Sequence, residues 1–149
     1  MEGTVTEDGW KSYSIKGADC PVDRGYIYNQ NLDWCYRLVT EEQRKPVDAM
    51  DFCRLDGGQM IRVNSIEKQQ HITDFLRSRE SNTSTVVWIG GRSENKDNNF
   101  VYEDGTILTF TYWDNHSPDG KSYIRMQQDS NYHWRNGSGK LARIFLCEI

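Results

Sequence analysis

The chain lacks several things, and each absence excludes a class of protein. No apolar run approaches the ~18 residues that a membrane-spanning helix needs. No secretory signal is visible at the start, because Met-Glu-Gly-Thr-Val-Thr-Glu-Asp is acidic and polar rather than basic and then apolar. No basic run offsets the formal net charge of -4, which argues against a general nucleic-acid binder. The four cysteines, Cys20, Cys35, Cys53 and Cys147, form no Cys-x-x-Cys pair, so the spacing of zinc sites and thiol oxidoreductases is missing. The three histidines, His71, His116 and His133, share no metal-ligand spacing. No nucleophile stands beside a base, and the carboxylates are spread over polar segments, so the pattern of an enzyme is missing.

What is present describes a folded, exported domain. A length of 149 residues, 36% of them hydrophobic and 27% charged, suits one domain with a real core. An even number of widely spaced cysteines fits two disulfides and an oxidising compartment. Three glycan acceptor sequences, at Asn82, Asn115 and Asn136, point the same way. Pro118 directly after Ser117 makes Asn115 a poor acceptor.

Read in order, residues 1–18 form a polar, turn-rich leader and residues 19–149 the domain. Tyr26 to Tyr28 and Trp34 to Val39 read as a short hairpin with its turn at Asn29-Gln30-Asn31. Pro46 opens a helix that turns Ala49, Met50 and Cys53 to one side and stops at Gly57-Gly58. Met60 to Val63 is a brief strand. Asn64 with Glu67 predicts the cap of a second helix, whose apolar side is Ile66, Ile72, Phe75 and Leu76. Val86 to Gly91 is a buried strand, and Ser93 to Asn99 a polar loop. Phe100 to Tyr102 and Leu108 to Trp113 read as a hairpin around Asp104-Gly105. Tyr123 to Met126, Trp134 and Ala142 to Cys147 supply the last strands. Two early helices and short late strands between long loops make the class α+β.

These residues, in this order, resemble the C-type lectin-like domain over roughly residues 20–149. The resemblance is carried by Cys35-Tyr36 with Leu38, Ala49 four residues before Cys53, Gly57-Gly58, and Asn64-Ser65 with Glu67. Further on it is carried by Trp88-Ile89-Gly90-Gly91, Phe100 to Gly105, Trp113, Trp134 and Cys147-Glu148. It implies two helices and two small antiparallel sheets with a long irregular loop region. It also implies the pairing Cys20–Cys35, the N-terminal hairpin bond of the long form, and Cys53–Cys147. The family's usual third disulfide would fall at Tyr123 and Gly139, and both cysteines are missing here.

The resemblance places a calcium and sugar site on the Trp113 to Arg125 loop and at Trp134 to Asn136. A proline, usually cis, aims its two neighbours at the ion, and calcium takes 6–8 oxygen ligands. Here those neighbours are Ser117 and Asp119. The second carboxylate position falls at Lys121-Ser122, and Arg135 stands where the next ligand belongs. Asp119 and Asn136 are the remaining candidate ligands, which drops the set from about five protein oxygens to about two or three. A second calcium position of the family would draw on Glu94, Asp97 and Asn98.

Without that ion, the loop surface reads as a recognition face. Its candidate binding residues are Asp119, Lys121, Arg125, Tyr132, His133, Arg135 and Asn136, with Tyr132, His133 and Arg135 expected to be exposed. Trp113 and Trp134 are expected in the core. Aromatic and arginine side chains are the usual anchors of such faces. The expectation is an extracellular module that takes a protein or glycan partner through the long loops, without cofactor. Two alternatives stand beside it: a calcium-dependent carbohydrate binder with an atypical site, and a structural or adhesive spacer within a larger cell-surface or matrix protein.

Overall fold

The computed structural model describes residues 19–80 and 84–149. The expected leader over 1–18 and the acceptor Asn82 lie outside the described residues. Strand β1 (Ile27–Asn29) turns back on the long strand β2 (Trp34–Arg44), with Tyr28 opposite Cys35. The turn between them closes because the Asn29 side-chain oxygen accepts from the Leu32 N–H at 2.9 Å. Cys20 is bonded to Cys35 at the start of β2, and Cys53 to Cys147 across the domain.

Helix α1 (Pro46–Leu55) begins on its proline and turns Ala49 and Cys53 inward, both fully buried. It ends where Gly57 takes a left-handed φ of +95°, a conformation that costs glycine nothing. Strand β3 (Gln59–Met60) leads to helix α2 (Ile66–Arg77). Its cap is Ser65, one residue later than the Asn64 expected. Ser65 is extended, so its hydroxyl reaches the Lys68 N–H at 3.2 Å, while Asn64 stays outside the helix and exposed. The inward side of α2 also differs from the expectation. Ile66 is 40% exposed, and Gln69 is buried in line with Ile72, Thr73 and Leu76.

Strands β4 (Val86–Arg92), β5 (Tyr123–Gln127) and β6 (Trp134–Gly137) form one antiparallel group; β1, β2, β3 and β7 (Arg143–Glu148) form the other. A short parallel pairing of β4 with β7, at Val87–Ile144 and Trp88–Phe145, joins the two into a single seven-stranded sheet. Alternate residues of the sheet serve different cores. Leu146, Val87, Ile124, Met126 and Trp134 pack with Ile72 and Leu76 of α2. Phe145, Cys147 and Trp88 pack with Ala49 and Cys53 of α1. Each large apolar side chain buried this way contributes about 1.5–3 kcal/mol.

The hairpin expected from Phe100 to Trp113 shrinks to isolated bridges, Arg92 to Val101 and Val101 to Ile107. Phe100 is buried in the core, and Leu108, Phe110, Tyr112 and Trp113 pack against its edge, so the return segment follows the core surface instead of a ladder.

Candidate functional site

The Trp113 loop is anchored at its root by strand β6. Trp113 bridges Trp134 in parallel, and the Asp114 N–H donates to the Trp134 carbonyl at 2.9 Å. Asp114 then organises the turn. Its carboxylate accepts from the His116 N–H at 3.0 Å and pairs with Arg135, and its carbonyl accepts from the Ser117 N–H at 3.2 Å. Burial opposes ionisation of Asp114. The hydrogen bond from Arg135, together with those from His116 and Ser117, outweighs it and holds the carboxyl below its ordinary value of 3.8.

The Ser117–Pro118 peptide is cis. It brings Asp119 back over β6, where the Asp119 N–H donates to the Asn136 side-chain oxygen at 3.0 Å. The Asn136 amide in turn donates to the Lys121 carbonyl at 3.2 Å. The Lys121 ammonium lies 3.2 Å from the Asp119 carboxylate, with both side chains about half exposed. The polar groups beside the cis-proline are thus engaged with one another. Asp119 is the only carboxylate at the two candidate ligand positions, and a lysine neutralises it. The Asn136 oxygen faces an N–H. This donor set does not make the 6–8 oxygens that calcium takes. Among the described residues no group of three or more His, Cys, Asp or Glu side chains is arranged for a metal.

The second calcium position is likewise turned to internal use. Asp97 accepts from the Ser93 hydroxyl at 2.9 Å and the Asn99 N–H at 3.1 Å. These donors, that of Asn99 foremost, hold its carboxyl below the ordinary 3.8. Asn98 accepts from the Gly120 N–H at 2.8 Å and ties this loop to the Trp113 loop. Glu94 pairs with Arg92 at 3.0 Å. The three candidates thus share no common partner.

The candidate binding residues divide into three groups. Asp119, Lys121 and Asn136 meet at the cis-proline. Arg125 and Arg135 stand opposite each other on β5 and β6, and His133, just before β6, stacks on Tyr112 with ring centroids 4.1 Å apart. Tyr132 belongs to neither group and corrects the expectation of exposure: it is 1% exposed. Asn131 and Tyr132 both have positive φ, 54° and 61°, a backbone that turns the Tyr132 ring inward. Its hydroxyl donates to Glu80 at 2.7 Å, and burial together with that carboxylate pushes the phenol well above its ordinary range. Asn136 is corrected as a glycan acceptor. It is 3% exposed, with both amide atoms committed, so its nitrogen has no room for a sugar. Asn115 is exposed near the tip of its turn.

Two structural residues escaped the sequence reading. Gln69 receives the Trp134 indole N–H at 2.8 Å and donates to the Tyr132 carbonyl at 3.2 Å, so one helix side chain holds the 132–134 segment. Its signal was a polar residue at the apolar spacing of α2. Glu148 is 4% exposed and accepts from Arg62 and from the Trp34 indole, clamping three segments together. At the site of the missing disulfide, Tyr123 lies against Gly139. A Cβ on Gly139 would stand 2.7 Å from the Tyr123 ring, so an aromatic face fills the place of the bond.

The geometry defines a class first: a domain of two helices on opposite faces of one sheet, stapled by disulfides and carrying a loop surface turned by a cis-proline. The family model for the Lectin C-type domain matches residues 42–149, and the chain belongs to that family. Among its relatives is an alpha-N-acetylgalactosamine-specific lectin of Patiria pectinifera. It is 24% identical over 132 residues, covering 83% of this chain and 76% of the relative. Another is the alpha subunit of snaclec alboaggregin-B from Trimeresurus albolabris, 26% identical over 141 residues and covering 93% and 87%. Human lithostathine shares the fold with a TM-score of 0.76 at 15% identity, covering 93% of this chain and 96% of that one.

Proposed function

We propose that this chain is an extracellular recognition module, without catalytic activity, that binds a protein or glycan partner through its long-loop face and needs no calcium to do so. One observation carries the reading: the Lys121 ammonium sits on Asp119, the one carboxylate left at the cis-proline. A cation that another lectin would borrow from solution is here part of the chain. Arg135 acts similarly on Asp114. Beside them opens a polar cleft of about 380 Å³ bordered by His116, Asn131, His133 and Arg135. Such a cleft offers donors and an aromatic flank to hydroxyls or to a protein side chain.

Other facts support the setting. Two disulfides fit an oxidising compartment. No helix of the described residues is long and apolar enough to cross a membrane. One relative is named as a sugar-specific lectin, which favours a glycan among the partners. The test is thermal melting with millimolar calcium against EDTA, together with calorimetric titration of calcium. The expected outcome is no heat of binding and a melting temperature unchanged to about 1 °C, because a ligand that does not bind the native state cannot stabilise it. A rise of several degrees with calcium, competed by a simple sugar, overturns the reading in favour of a calcium-dependent lectin.

A further inference from the structure

The strand register places a row of arginines on one face of the sheet. Arg125 on β5 stands directly opposite Arg135 on β6 and directly opposite Trp88 on β4. Trp88 is level with Phe145 on β7. Side chains alternate faces along a strand, so Arg143, two residues before Phe145, rises on the same side. Its guanidinium lies 5.6 Å over the Trp88 ring. Gly137 makes room for this packing, since a Cβ there would meet the Arg125 guanidinium at 2.6 Å and the Trp88 ring at 2.9 Å.

Like charges directly opposite one another destabilise a strand pair. The chain neutralises only part of this row. Arg135 pairs with Asp114. Arg44, opposite Arg143 on β2, pairs with Glu42. Among the described residues Arg125 donates to neutral oxygens, the Gln127 side chain at 3.1 Å and the Asn136 carbonyl at 3.2 Å. Arg143 has no ion pair among the described residues, and its buried Nε has no hydrogen-bond partner. Burial foremost, then Arg143 and Arg135, hold the Arg125 guanidinium below its ordinary pKa. Asp119 and Asp114 offset this only in part. Two half-buried cations thus flank Trp88 with no ion-paired carboxylate among the described residues, in a chain whose net charge is -4.

We propose that Arg125 and Arg143, with Arg135 at the end of the row, form an oxyanion-binding surface for an acidic glycan carrying sulfate or carboxylate groups. The guanidinium fork matches such oxyanions two bonds at a time. Strands lie ~4.8 Å apart, so the three strand steps from β7 to β6 extend the row over about 14 Å. That length suits an extended chain with repeated anions better than a single ion. A glycan fits better than an acidic protein because, among the described residues, the row offers no exposed aromatic anchor of the kind protein interfaces centre on. Trp88 is buried beneath it, and its indole N–H donates to the carbonyl of the exposed Leu141 at 3.1 Å. The choice of a glycan rests on the recognition-module reading above; the arginine row does not.

The experiment is calorimetric titration, in EDTA throughout, with three probes: a sulfated glycosaminoglycan hexasaccharide, the same chain stripped of sulfate but keeping its carboxylates, and an acidic peptide of matched charge. At low salt at least one saccharide binds, and raising the salt to about 0.5 M weakens it tenfold or more through screening. Binding of the sulfated chain alone assigns the sulfate as the recognised group, and binding of the stripped chain as well assigns the carboxylate. Arg125→Gln and Arg143→Gln each weaken binding about tenfold, roughly 1.4 kcal/mol. Arg54→Gln, which removes the same charge from exposed α1, leaves binding within about twofold. Inorganic sulfate raises the melting temperature of the parent chain and not of the double variant Arg125→Gln/Arg143→Gln. Absence of saccharide binding, or equal binding by the parent and the double variant, overturns the proposal. A peptide that binds as tightly as the saccharides overturns the glycan assignment. None of these outcomes depends on the calcium experiment, so either reading can fail alone.

Discussion

Two regions of this domain are held together by different physics. The body, formed by β1, β2, β3, β7 and α1, rests on backbone ladders, a buried apolar cluster and both disulfides. The loop region, residues 93–122 and 128–142, contains the short strand β6, one 3-10 turn at Gln128–Ser130 and isolated bridges. Its shape is kept by short polar side chains that satisfy loop N–H groups one at a time: Asp97, Asn98, Asp114 and Asn136. The contrast shows that a long irregular segment can be shaped without a late disulfide, by Asn and Asp side chains that accept from the N–H groups of its turns.

The largest expected effect breaks the body. Replacing Cys53 and Cys147 together by alanine opens a sequence separation of 94 residues and costs about 4–5 kcal/mol in the chain-entropy model. Denaturant unfolding measures this, and a loss under about 1 kcal/mol would show that the ladders suffice without the staple. Next comes the seam between the regions. Gln69→Leu leaves the Trp134 indole N–H and the Tyr132 carbonyl buried without their partner, at a cost of about 1–3 kcal/mol. Hydrogen exchange should quicken first at the 128–134 amides and leave β2 and β7 protected; uniform loss across both regions would remove the distinction between them.

The smallest effect is a pH dependence confined to the loops. Asp114 has a folded pKa below its ordinary 3.8, so it binds its proton less readily when folded. Its contribution to stability is complete above that ordinary value and is lost as the pH falls through the lower folded value. Asp114→Asn should flatten this part of the stability profile and release Arg135. Identical acid profiles for parent and variant would show that the pair does not hold the loop.

Much of the body was legible. Pro46, the Ala49 and Cys53 spacing and the glycines after Leu55 mark α1 because each acts locally on the backbone. The glycine after Ile89 has a reason that only the fold shows: a Cβ on Gly90 would lie 2.5 Å from the Ile61 carbonyl. The loops were less legible. Choosing Asn64 over Ser65 as cap failed because both residues can cap, and the backbone angle decides between them. Tyr132 was expected to be exposed, and Asn136 was read as a glycan acceptor from its local sequence alone. Their burial follows from a left-handed turn in one case and a cis-proline loop folding over in the other.

The sequence by itself determined the class of fold, the start of α1 at Pro46 and the residue types, Ser117, Lys121 and Arg135, that stand at the cis-proline loop and on β6. Those depend on which residue types are present and how far apart they stand. The tertiary structure decided which of the candidate residues share a surface. Arg125, Arg135 and Arg143 are 10 and 8 positions apart along the chain, a spacing without meaning until strand register sets them in one row. A one-residue shift in that register would send each side chain to the opposite face, so pairing across strands, rather than order along the chain, fixes where this protein presents its charge.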